Sequence, residues 1–193
     1  NKKVAVFAGH SCTNINILHC DHLVEQIPPT SSLGRRFLTV PLATRSLGDV
    51  FQVVATQDGT VVRIDDTPIA TLNRGEVKYF EGLPYHYRVV EATAPVLLAQ
   101  YAKGSKIGLG QTEPADPFMA LVPPEGQYPT SYILSTPPVL QSLASSQRHF
   151  LSLMVRASAS RGVRINGNEI SAQWHPIGTS GWVGANMEIP DGP

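Results

Sequence analysis

The sequence predicts an all-β chain built as two related β-sandwich lobes, and three observations carry that expectation. The first is an internal match at an offset of 95 residues: Gly9 falls on Gly104, Asp21 on Asp116, Pro28-Pro29 on Pro123-Pro124, and Phe37 on Tyr132. A period this long exceeds a solenoid unit and suits a whole sandwich lobe of ~100 residues. The second is a succession of short runs rich in Val, Ile, Thr, Tyr and Phe, punctuated by Gly, Pro, Asn and Asp every 8–12 residues or so. The third is the scarcity of helix signals, with Pro138 to Ser146 the one candidate for a turn or two. The lobes are placed at residues 1–94 and 95–193, and the whole is expected to be a piece of a larger multidomain protein.

Taken in order, Val4–Ala8, Arg36–Val40 and Val50–Ala55 read as strands, each bounded by Gly or Pro. Gln57-Asp58-Gly59 then leads into Thr60–Ile64, and Asp-Gly between two such runs predicts a hairpin. Within Thr60–Ile64, Thr60, Val62 and Ile64 share one face. Asp65-Asp66 turns the chain into Ile69–Leu72, and Asn73-Arg74-Gly75 turns it into Val77–Phe80. His86–Glu91 and Pro95–Tyr101 complete the first cycle of strands. Phe118–Val122, Tyr132–Ser135, Phe150–Val155, Gly162–Ile165 and Trp182–Ile189 are the second lobe's strands. Asn166-Gly167 stands there as the hairpin turn where the first copy has Asp65-Asp66. In the shared positions Gly9 is expected to end a strand with positive φ, Asp21 to cap the return, and Phe37 and Tyr132 to anchor their cores.

Composition excludes several function classes. Lys+Arg and Asp+Glu are both 15, so no global field draws the chain to nucleic acid or anionic lipid. No apolar run approaches the ~20 residues of a membrane helix, and no membrane insertion is expected. The two cysteines, Cys12 and Cys20, are close in sequence. A local disulfide in a secreted protein is favoured over free thiols, stabilising by about 2.5 kcal/mol in the chain-entropy account.

Few residues form a chemical constellation. His10, Cys12, Cys20 and His22, with His19 adjacent, could clasp zinc, since imidazole and thiolate are its preferred ligands. Finger spacing is absent, however, and the second copy has Ser105, Ile107, Ala115 and Pro117 in those places, so no metal or cofactor is expected. Asp21 and Asp116 could be calcium ligands, but an Asx turn accounts for them without the six to eight oxygens that calcium requires. Asp58 and Asp65-Asp66 could be proposed as a cation site, but the second copy has the neutral Asn166-Gly167 there, so they are read as turn residues. A nucleophile elbow, a phosphate loop and a dinucleotide fingerprint are all missing, and an enzyme is not expected. Tyr85, Tyr87, Trp174, His175 and Trp182 are large amphipathic side chains near loops and strand ends. They are the candidate binding residues, because such side chains concentrate at interfaces.

Several longer stretches carry a resemblance. They are Val4 to Cys12 (VAVFAGHSC), Cys20 to Pro29 (CDHLVEQIPP), Phe37 to Thr44 (FLTVPLAT), Pro95 to Gly104 (PVLLAQYAKG), Asp116 to Pro124 (DPFMALVPP) and Ile189 to Gly192 (IPDG). Together they resemble the N-terminal domain of the IgG Fc-binding protein family, whose members are secreted, modular mucus or adhesive glycoproteins, often with von Willebrand D-type repeats. The resemblance implies a non-catalytic extracellular binding or adhesion module, with extracellular proteins or glycoproteins as partners. A self-assembly unit of a filament or gel, binding other copies of itself, is the alternative. Binding to IgG Fc is not implied, because no motif for that contact falls on these positions. The Gly104 to Asp116 stretch has no cysteine to mirror Cys12 and Cys20, a departure from the first copy.

Overall fold

Alternating apolar and polar residues give this chain strands that bury one face each, and only a few are long enough to organise a sheet. The computed structural model describes residues 2–15, 20–104, 116–136 and 148–190. The helix candidate at Pro138–Ser146 lies outside the described residues. The strands are β1 (Val6–Asn14), β2 (Cys20–Ile27), β3 (Gly34–Thr39), β4 (Asp49–Ala55), β5 (Thr60–Ile64), β6 (Thr67–Leu72), β7 (Val77–Gly82), β8 (Arg88–Ala102) and β9 (Phe118–Leu121). They continue with β10 (His149–Arg156), β11 (Arg164–Ile165), β12 (Asn168–Glu169), β13 (His175–Pro176) and β14 (Trp182–Ile189). The expected all-β class is therefore observed.

β8 is the spine. Val96 pairs with Gly34 of β3 on one edge and with Ala55 of β4 on the other. Along the first edge β3 covers the start of β8 and β9 its end; along the second, β5 and β4 do the same. β6 and β7 then flank β5 and β4. All seven strands thus form one sheet, bent where each ribbon breaks. Pro95 sits in β8 where its pairing passes from β5 to β4, so its missing N–H leaves no ladder bond unmade. The expected boundary between residues 94 and 95 falls inside this strand.

The bend corrects one local expectation. Asp58-Gly59 does not close a hairpin between β4 and β5; the two strands run end to end along β8. Gly59 takes φ +67°, and the corner is pinned to the matching corner between β6 and β7. Asp58 Oδ1 accepts from Arg74 N at 2.9 Å, and Gly59 N donates to Asn73 Oδ1 at 3.3 Å. Gly75 N donates to Ala55 O at 2.8 Å while Ala55 N donates to Glu76 O at 3.0 Å. An Asp-Gly kink serves a corner as well as a hairpin, because both need only the positive φ. Asp65-Asp66 and Asn166-Gly167 do close hairpins, each with two consecutive positive φ values as a two-residue primed turn requires.

Two clusters fill the interior. Phe37, Phe51, Val53, Val62, Val90, Val96 and Leu98 pack inside the bend. Leu38, Val40, Val89 and Ile177 pack on the opposite face, with Tyr87, Tyr128, Met154 and Trp182 against them. That second face is covered by the three-stranded sheet β10-β14-β13. Phe37 and Leu38, adjacent on β3, serve opposite faces. Residues from both halves of the chain share this second cluster.

The landmark positions of the internal match are not structurally alike. Phe37 is 1% exposed in β3, whereas Tyr132 is 70% exposed in a stretch with no strand, so the expected strand Tyr132–Ser135 and its core anchor are corrected. Pro129 precedes that stretch, and Ile133 is fully exposed, so its β-forming residues meet no ladder partner. Gly9 lies in mid-strand opposite Val24, without positive φ; a Cβ there would stand 2.0 Å from Leu23 O, so close approach is what it provides. Asp21 pairs with Thr13 inside the β1–β2 ladder and its carboxylate accepts from the next backbone N–H rather than capping a loop. The two Pro pairs do match locally, each leading into a 3₁₀ turn, Thr30–Ser32 and Glu125–Gln127.

Cys12 and Cys20 form a disulfide with Cα atoms 5.1 Å apart, joining β1 to β2 at the turn end of their hairpin, with both residues in the strands rather than in a loop. Val6, Phe7 and Val24 of this hairpin are exposed, and two strands alone are marginal in water. Reduction should therefore release the hairpin, removing about 2.5 kcal/mol of local stability. Amide exchange would quicken over 6–27 while protection in β4 and β8 persists; loss of protection throughout would refute this local role.

Candidate functional site

The residues 83–88 form a turn and the start of β8, and the local chemistry there is unusual. His86 N donates to Leu83 O at 3.2 Å, with Pro84 and Tyr85 between them. Pro84 supplies the fixed φ favoured at the second position of a turn, and the third position then takes positive φ, normally with Gly or Asn. Tyr85 occupies it with φ +67° and is 82% exposed. A bulky residue held in this region costs about 1–3 kcal/mol, and such strain clusters at ligand sites. Tyr85→Gly should therefore stabilise the chain by about 1 kcal/mol, read as a higher denaturation midpoint at unchanged slope. A lower midpoint would show the conformation to be supported by contacts of the ring.

Asp65 approaches this turn from the β5–β6 hairpin. Its N donates to Val89 O and its Oδ1 accepts from Val89 N, both at 2.9 Å, which ties the hairpin to β8. Its Oδ2 lies 3.6 Å from Arg88 Nη1. Arg88 Nη2 is 2.8 Å from His86 Nδ1. A guanidinium only donates, so this His86 nitrogen accepts, which leaves Nε2 as the ring's N–H donor.

The third wall comes from the other sheet. β13 pairs with β14 so that His175 faces Gly184. Gly184 has no side chain, and a Cβ there would lie 2.9 Å from the Tyr87 ring. Tyr87 fills that space and stacks on His175, with centroids 4.9 Å apart and planes 18° from parallel. Burial raises the Tyr87 phenol above its usual pKa. The result is a shallow depression of about 410 Å³, lined by Asp65, Tyr85, His86, Tyr87, Arg88 and the His175-Pro176 pair.

Of the five candidate binding residues, the fold brings Tyr85, Tyr87 and His175 together in this depression. Trp182 stands elsewhere: its indole N–H donates to Glu125 Oε1 at 2.8 Å, Arg156 lies 4.5 Å over its ring, and Tyr128 meets it edge-on. Trp174, half-buried ahead of β13, is outside the lining. Asp65, His86 and Arg88 also line the depression and are not among the candidate binding residues that the sequence offers. The signal that could have found them is Pro84 before Tyr85, which marks a turn displaying an aromatic. Cys12 and Cys20 are remote from the depression in sequence and are committed to each other. No group of three or more His, Cys, Asp or Glu positioned for a metal occurs among the described residues, and His19 lies outside them.

Comparison with known proteins decides the family. The family model described as IgGFc binding protein matches residues 1–191. The chain belongs to the IgGFc-binding family. It is 27% identical over 191 residues to the human IgGFc-binding protein, covering 96% of this chain and 3% of that relative. The chain thus spans a small part of the length of the relative it matches. No solved structure matches it. As a member of the IgGFc-binding family it comes from a group named for binding, and no helix of its described residues is long and apolar enough to cross a membrane.

Proposed function

We propose that this chain is a non-catalytic extracellular binding and adhesion module of a secreted mucus- or matrix-type glycoprotein, and that the depression framed by Tyr85, Tyr87 and His175 is where it binds. The observation that carries this reading is Tyr85: a strained, exposed aromatic on a turn braced from three sides. Nothing in the packing of the core calls for that ring, whereas a binding surface uses a rigid amphipathic side chain at small entropic cost. Family membership and the disulfide support an extracellular setting. The relative's name points to immunoglobulin Fc, which is therefore one ligand to try.

Immobilised purified mucin and IgG Fc, each presented with the isolated chain, test this. Retention on one of them by the native chain, lost in Tyr85→Gly, is the expected result. Retention unchanged by Tyr85→Gly would move the site elsewhere; no retention on either would remove the reading. A self-assembly role has its own support in the exposed Val4, Phe7 and Val24 on and beside the β1–β2 hairpin. Sedimentation velocity addresses it, since assembly through that hairpin would give concentration-dependent species that Phe7→Ser abolishes.

A further inference from the structure

We propose that the depression is a subsite for one neutral pyranose unit of a glycan chain; this rests on the binding role assigned above and names its ligand class. Three properties of the lining point there. First, it is polar and electrically balanced. Asp65 and Arg88 offset each other at 3.6 Å, and His86 Nδ1 accepts from the guanidinium. An anionic ligand would have to break the Asp65–Arg88 pair to gain the guanidinium, and a neutral one does not. An aliphatic ligand would meet only Pro176 as aliphatic wall.

Second, the hydrogen-bonding groups are of both kinds and are held still. Asp65 Oδ1 is committed to Val89 N, which fixes the carboxylate and leaves Oδ2 beside the guanidinium as an acceptor. Arg88 and the His86 Nε2–H donate. An acceptor next to donors is the arrangement that a pair of adjacent hydroxyls satisfies, because each hydroxyl both donates and accepts. Third, the exposed Tyr85 ring presents a π-face, whose negative potential attracts the C–H groups on the apolar side of a sugar ring. The depression's volume of about 410 Å³ is at the small end for a ligand pocket and suits a mono- or disaccharide.

A peptide main chain fits less well. Among the described residues β13 is an edge strand of its sheet, but it has two residues and one is Pro176, so it offers little ladder for strand addition.

Saturation-transfer and amide-shift NMR on the isolated chain, titrated with the methyl glycosides of galactose, glucose and mannose and with N-acetylneuraminic acid, test the proposal. A neutral glycoside should bind saturably in the millimolar range and shift amides near residues 65, 85–88 and 175. Two variants that keep the turns, Tyr85→Gly and Asp65→Asn, should each weaken it about tenfold or more. Preference for N-acetylneuraminic acid would overturn the neutral class, and no saturable binding, or binding indifferent to both variants, would overturn the site. If the chain holds mucin or Fc equally well before and after complete enzymatic removal of their glycans, the glycan inference falls and the binding role stands. Failure to hold them at all sinks the binding role itself.

Discussion

Replacing Phe37 by Ala is expected to cost about 3–5 kcal/mol, while the same change at Tyr132 stays within about 0.5 kcal/mol. Phe37 is 1% exposed and packs in the cluster with Phe51, Val62, Val90 and Val96. It lies on β3 opposite Val90, so truncation opens a void where β3 meets the spine. Gly34, on the same strand, already holds Pro124 at near contact, and β3 has little freedom to collapse inward. Tyr132, 70% exposed, loses only surface contacts. Urea unfolding of the two variants measures the contrast. Equal costs would mean that Tyr132 does anchor a core, and that its exposed setting misrepresents it.

The second large effect is expected at Glu125. Its side chain is 16% exposed and gathers Arg36, Arg156 at 2.9 Å and the Trp182 indole N–H at 2.8 Å. Arg36 also reaches Glu91 of β8 at 2.9 Å. One carboxylate thus links the large sheet to both β10 and β14. Removing it strands an indole donor and leaves cations facing one another. Glu125→Ala should cost about 1–2 kcal/mol, chiefly for the indole donor and the half-buried hydrogen bonds left unmade, because both arginines are partly in water. Trp182 fluorescence should shift to the red as its ring loosens. An unchanged spectrum with unchanged stability would reduce the cluster to ordinary surface pairing.

The strands were legible where period and punctuation agreed. β4 alternates buried and half-buried residues along Asp49–Ala55, and Trp182–Ile189 is observed as β14 with the expected ends. Partners were less legible, since Asp58-Gly59 reads identically whether strands fold back or continue around a corner. Deciding between them needs β8, about thirty residues on. Tyr132–Ser135 shows the converse: strand-forming side chains make a strand only where an edge is free to receive them. At the candidate site, Tyr85, Tyr87 and His175 were legible as aromatic and imidazole side chains in turns. Their meeting depends on Gly184, whose role is visible only when β14 lies beneath Tyr87.

The long spine also has a temporal consequence during synthesis. β3, β4 and β5 find their common partner only in residues 88–102, so a nascent chain holds β3 with no ladder partner, and β4 and β5 with one edge unpaired, until that segment appears. The β5–β6 hairpin can close early, being local, whereas β3 waits across roughly fifty residues. A ribosomal pause placed before residue 88 would lengthen the exposure, and one placed after 102 would not. Nascent chains arrested at those two points should differ sharply in protease resistance, with the decisive gain arriving as a single strand is delivered.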